Sequence, residues 1–99
     1  MSYGKIIKQA PFSSRDCRKG TVTLFENGIS IECEDEEWTY SFGLKGVSTF
    51  GKSPTTQGIQ LNRRTYHVDE PEEWIKAIKE SLTANGLKFR ITGYRVQLE

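Results

Sequence analysis

The sharpest chemical pattern in this chain is Gly46-Val-Ser-Thr-Phe-Gly51-Lys52-Ser53. It satisfies G-x-x-x-x-G-K-[ST], the loop that cradles phosphates with backbone amides and a lysine. That chemistry needs a strand before the loop and a helix after it, so that amides and the helix dipole meet the phosphate. Pro54 biases Ser53 away from helical angles, and Thr-Thr-Gln-Gly58 offers no helical apolar period. A nucleotide-binding fragment using Lys52 is therefore the remotest of three functional readings. His67 is the only histidine, and it alternates outward from Tyr66 and Val68 with no carboxylate or cysteine pattern beside it. Cys17 and Cys33 lack C-x-x-C spacing and cannot build a zinc site with one histidine. They read as two reduced thiols of a cytoplasmic protein. The chain is expected not to be an enzyme and to carry no metal or cofactor.

Cations supply the better chemistry. Lys8, Arg15, Arg18 and Lys19 cluster near the N-terminus, and Lys52, Arg63 and Arg64 follow in the middle. Several such groups converging on one point would hold a phosphate or carboxylate, with arginine able to do so through two bonds. Against them stands Glu34-Asp35-Glu36-Glu37, four carboxylates in a row. The net charge of +1 argues against a nucleic-acid partner. The charge is nonetheless segregated into alternating basic and acidic blocks along the chain, which favours separate positive and negative faces and hence docking.

The elements that must position these groups are mostly strands. Ninety-nine residues make one small domain, and no apolar run is long enough to cross a membrane or to serve as a secretion signal. Lys5–Ala10 forms an initial strand ended by Pro11. Val22 and Leu24 alternate with Thr21, Thr23 and Phe25, and Asn27-Gly28 supplies the positive φ angles of a two-residue hairpin turn. Ile29, Ile31 and Cys33 return as the next strand. Trp38, Tyr40 and Phe42 alternate as another, an aromatic row read as core-facing rather than as a stacking platform. Val47–Phe50, Ile59–Leu61 and Tyr66–Val68 bring the count to seven, with Arg63-Arg64 at the last turn. The period then changes. Trp74, Ile75, Ile78 and Leu82 mark an amphipathic helix from Pro71 to Ala84. Asp69 and Glu72 form its expected capping box, Glu72–Lys76 an i,i+4 pair, and Asn85-Gly86-Leu87 a Schellman stop.

Seven strands followed by a helix that opens Glu-Pro-Glu-Glu-Trp74-Ile-Lys resemble a pleckstrin homology (PH)-like domain. The resemblance implies a seven-stranded antiparallel barrel or sandwich capped at one end by the helix, with Trp74 in its core. It covers residues 3–84. Residues 85–97 are an extension beyond the pattern, expected to pair as an extra strand or to begin a further segment of a larger protein. Leu98-Glu99 resembles a purification-tag scar. Members that bind phosphoinositides place cations in the first hairpin as K-x(n)-[KR]-x-R. Here Lys8, Arg15, Arg18 and Lys19 occupy that segment without the strict ending, since Arg15 and Arg18 are three apart. The resemblance puts Arg63-Arg64 on the same rim together with the acidic run. It also allows Arg15, Arg18 and Lys52 to converge at a second site.

The leading reading is a non-catalytic docking module for a protein partner, engaged through a sheet edge, the helix groove or charged rim loops. The alternative is a phosphoinositide-binding domain recruited to the membrane periphery. The acidic run weighs against it, because carboxylates repel an anionic bilayer. Either way the expected setting is cytoplasmic.

Overall fold

The computed structural model describes residues 3–54, 56–93 and 95–99. Among them, four strands form a first antiparallel sheet, β1 (Ile6–Ser14), β2 (Cys17–Phe25), β3 (Gly28–Cys33) and β4 (Trp38–Gly43), in that order across the sheet. Five strands form a second antiparallel sheet. They are β5 (Thr49–Lys52), β6 (Ile59–Leu61), β7 (Arg64–Tyr66), β8 (Phe89–Thr92) and β9 (Arg95–Leu98), ordered β7-β6-β5-β9-β8. One helix, α1 (Pro71–Ala84), lies between β7 and β8 in the chain. The fold is thus mainly β, with two antiparallel sheets and one helix. None of its helices is long and apolar enough to cross a membrane, among the described residues.

The core follows the alternation. Val22 and Leu24 on β2, Ile29 and Ile31 on β3, Phe50 on β5 and Ile59 and Leu61 on β6 are all buried inward. The helix contributes Trp74, Ile78 and Leu82 from one stripe, each no more than 1% exposed. The Lys8 ammonium sits over the Trp74 ring, 5.5 Å from its centroid. At the C-terminal end of α1, Gly86 takes a left-handed φ of 72°, its N–H donating to the Thr83 carbonyl and that of Leu87 to Leu82. These are the two bonds of the expected Schellman stop.

Several expectations fail for identifiable reasons. Among the described residues nine strands form: seven precede the helix, and the segment after it, expected as one extra strand or the start of a further segment, is a hairpin whose β9 pairs with β5 and buries Val96 against Phe50. Leu98 closes β9 and is part of the packing. Pro11 does not end β1. That strand is a sheet edge, where a missing N–H is tolerated, and Pro11 pairs with Thr21. The β2–β3 turn is Glu26-Asn27, with neither Asn27 nor Gly28 at positive φ. Gly28 is needed for space instead, since a Cβ there would come within 2.5 Å of the Tyr3 ring. The capping box does not form. Pro71 takes the first helical position, so Glu70, at φ 53°, becomes the cap and makes no side-chain bond to the helix. The aromatic row is not a core row either: Trp38 and Phe42 are partly buried and Tyr40 is 55% exposed. Its strand, β4, lies at the outer edge of its sheet.

The cysteines are a further correction. Cys17 and Cys33 are not separate thiols but a disulfide, tying the start of β2 to the end of β3 with both residues buried. Bonded, their sulfurs are not thiolate ligands, although Asp35 lies close enough to complete a group of metal-ligand types.

Two outcomes test this packing. Trp74→Ala should destabilise the domain by about 3–5 kcal/mol, as expected for a large core truncation, and an unchanged thermal midpoint would refute the helix as the cover of the core. The disulfide closes a loop with a sequence separation of 16, a constraint worth about 3 kcal/mol. Dithiothreitol should therefore lower the midpoint by roughly 10 °C or more in a domain this small, with no effect on a Cys17→Ser/Cys33→Ser variant.

Candidate functional site: a cationic cleft at the rim

Register brings three turns to one end of the molecule. Ser14 pairs with Cys17 around the β1–β2 turn at Arg15-Asp16, and Cys33 pairs with Trp38 around the acidic β3–β4 turn. Gly20 opposite Cys33 sets these two turns side by side. The β6–β7 turn joins them because His67 and Ser13 exchange backbone hydrogen bonds at 2.8 and 3.1 Å, stitching the second sheet to the first. Between the turns lies a cleft of about 320 Å³. Arg15, Asp16, Arg63, Arg64 and His67 supply its polar lining, and Trp38 and Tyr66 its apolar wall.

Tyr66 anchors that wall. It is 4% exposed and packs edge-to-face on Phe12, with ring centroids 5.3 Å apart. Burial raises its phenol pKa above the ordinary 10.0, opposed by the nearby Arg64 cation and reinforced more weakly by Tyr40 and Asp16.

The β6–β7 turn is held in a strained form. Asn62 and Arg63 have φ of 50° and 73°, both left-handed, as a tight two-residue hairpin requires. Asn62 fixes the turn against the start of β5. Its Oδ1 accepts the Ser48 amide at 2.7 Å and the Ser48 hydroxyl at 3.1 Å, while its Nδ2 donates to the Gly46 carbonyl at 2.8 Å. Arg63 thus occupies a position that glycine fills without strain. Arg63 holds this conformation while its side chain lines the cleft.

Of the seven cations singled out in the sequence, Arg15, Arg63 and Arg64 meet here, and no ion pair engages them among the described residues. The other four are placed elsewhere. Lys8 covers Trp74. Lys19 pairs with Glu34 at 3.4 Å. Arg18 is exposed beside the acidic turn, its backbone N–H donating to Asp35 Oδ2 at 3.3 Å. Lys52 is bound to Glu72 at the start of the helix, which replaces the expected Glu72–Lys76 pair and holds the Glu72 carboxyl below its usual range. Lys52 lines clefts beside the helix rather than the rim, so the second site expected from Arg15, Arg18 and Lys52 is not assembled.

The phosphate-loop motif does not form a phosphate loop. Leu44–Gly46 is a single 3-10 turn, and Thr49–Lys52 is strand β5, paired to β6 and β9. The Ser53 amide donates to the Gly58 carbonyl at 2.9 Å. A strand runs through the motif where a free loop and a helix are required.

The acidic turn is partly neutralised from within. Asp35 accepts the Arg18 and Lys19 amides, and its Oδ1 lies 2.9 Å from Cys33 Sγ. With Glu34 engaged by Lys19, only Glu36 and Glu37 of the four stand without a partner among the described residues. Sequence reasoning found the three arginines but missed the Asn62 clamp and the Asp35 contacts, which arise from residues distant in the chain.

The turn geometry gives a direct test. Arg63→Gly should relieve the left-handed strain and leave stability unchanged or raised by up to about 1 kcal/mol, read as a higher thermal midpoint. A clear loss of stability would show that Arg63 serves packing instead. Set against family models, curated proteins and solved structures, the chain finds no match in any of the three.

Proposed function

We propose that this chain is a non-catalytic, PH-like docking module whose rim takes an acidic segment of a protein partner. The observation that carries the reading is the cleft in which Arg15, Arg63 and Arg64 converge without ion-pair partners among the described residues. Guanidinium groups left in that state around a partly apolar cleft are suited to carboxylate or phosphate oxygens. The PH-like part of the reading rests on the order of elements alone, seven strands in two antiparallel sheets followed by a helix with Trp74 buried, while β8 and β9 in the second sheet depart from that pattern.

A protein partner is favoured by what adjoins the cleft. Trp38, at its wall, begins β4, and no strand pairs with the outer edge of β4 among the described residues. Tyr40 and Phe42 continue along that edge as a tilted ring pair, centroids 5.3 Å apart. An extended segment adding to β4 would meet free backbone groups, an aromatic strip and then the arginines. A phosphoinositide headgroup is the second reading, favoured by the internal engagement of Glu34 and Asp35. Both readings belong with a cytoplasmic setting, against which the Cys17–Cys33 bond stands. The bonded cysteines are the form expected under oxidising conditions, and thiol exchange would open them in a reducing one.

The test is an amide-shift titration with an eight-residue peptide alternating valine and glutamate, run beside vesicles containing phosphatidylinositol bisphosphate. The peptide should shift the amides of β4 together with those of Arg15, Arg63 and Arg64. Arg64→Gln should weaken it about tenfold, the value of one charge-assisted hydrogen bond. Vesicle binding at physiological salt that is lost in Arg64→Gln, with no response to the peptide, would replace the protein reading by the lipid one.

A further inference from the structure

We propose that the outer face of the second sheet carries a second oxyanion subsite, joined to the rim cleft through Arg63, so that the ligand of this end bears more than one phosphate-type group. The inference rests on the rim reading only for this junction, since the outer face has residues of its own. Burial of Phe50, Leu61 and Val96 turns the intervening side chains of β5, β6 and β9 outward. Register then sets Thr49 opposite Gln97, Gly51 between Gln60 and Arg95, and Thr92 opposite Arg95. A cleft of about 400 Å³ opens over them, lined by Thr49, Gln60, Arg63, Thr92, Arg95 and Gln97.

Every polar side chain in that lining can donate a hydrogen bond, and none is a carboxylate. The absence extends further: not one of the thirteen acidic residues lies on β5, β6, β7, β8 or β9. These strands do carry Lys52, Arg64, Arg90 and Arg95. Two arginines, two amides and two hydroxyls over a sheet floor match the oxygens of a phosphate, which accepts several bonds and donates few. Gly51 adds to the floor, because no side chain stands between Gln60 and Arg95 in their row. Arg63 lines this cleft and the rim cleft alike. The Asn62-Arg63 turn thus sets this side chain at the border of the two clefts. A ligand with linked anionic groups would gain from occupying the two clefts together, because the second contact becomes intramolecular.

Orthophosphate, pyrophosphate and tripolyphosphate are the probes, followed by amide shifts on the intact chain. Affinity should rise at least about tenfold from orthophosphate to tripolyphosphate, with shifts at Thr49, Gln60 and Gln97 joining those at Arg15 and Arg64. Arg95→Gln, and independently Gln97→Ala, should abolish that gain while leaving the orthophosphate shifts at Arg15 and Arg64 unchanged. Both residues are exposed, so each variant is expected to remain folded at the titration temperature, with its thermal midpoint as the check. Equal affinity for all three probes, or tripolyphosphate binding unaltered in both variants, would overturn the second subsite. Outer-face shifts that persist in Arg64→Gln and in Arg63→Gln, with none at the rim, would overturn the junction and the rim reading together. A phosphorylated peptide and inositol hexakisphosphate, compared under the same conditions, distinguish a phosphate-bearing chain from a free polyphosphate as the source.

Discussion

Two sheets joined along one seam must be closed along another, and the burial of Trp74 does this. The seam is the exchange of backbone bonds between Ser13 and His67. Away from it the inner faces of both sheets would meet water, and α1 covers them with Trp74, Ile78 and Leu82. The indole is buried so completely that its Nε1 finds no acceptor among the described residues. A lost hydrogen bond of about 1–3 kcal/mol is tolerated there because the ring fills space that no smaller side chain would. The rim cleft depends on this closure at one remove. Its walls are contributed by both sheets, and only a fixed angle between them keeps Arg15 near Arg64.

The rim itself is a balance of opposite charges settled by local bonding. A run of four carboxylates beside three arginines could collapse into ion pairs and leave nothing for a ligand. Asp35 is instead turned toward backbone amides of β2, and Glu34 toward Lys19. The arginines are carried by other turns, one of them held rigid by Asn62. Backbone donors thus absorb negative charge that would otherwise quench the cleft, which keeps the two signs apart over a short distance.

Much of the fold could be read from period alone. Alternation placed Val22, Leu24, Ile29 and Ile31 inside, and the helical stripe placed Trp74, Ile78 and Leu82, because those positions repeat at the spacing of their elements. What escaped was set by partners far away in the chain. Asn27-Gly28 carries a hairpin signature, yet Gly28 is small because Tyr3 packs against it, a contact no local pattern records. Pro11 reads as a stop, but whether a strand can pass through proline depends on its being an edge. The tail alternates at Leu87, Phe89 and Ile91 and again at Val96, while its choice of β5 as neighbour is a tertiary fact. Arg15, Arg63 and Arg64 were legible as cations. Their separation from Lys52 was not, since it follows from where the helix start meets β5.

The Cys17–Cys33 bond has a consequence for the continuity of the molecule. It encloses all of β2 beyond its first residue, the Glu26-Asn27 turn and most of β3 in one covalent ring. The side chains of that turn are exposed, while its backbone is tied by hydrogen bonds to Tyr3, Lys5 and Leu44. A single nick there would open the ring without dividing the chain. The two ends would remain tethered beside the acidic turn, each still paired to its own neighbour, β1 or β4. In its bonded form the domain can therefore be cut at this hairpin and remain one molecule, whereas the reduced form would be held by its packing alone.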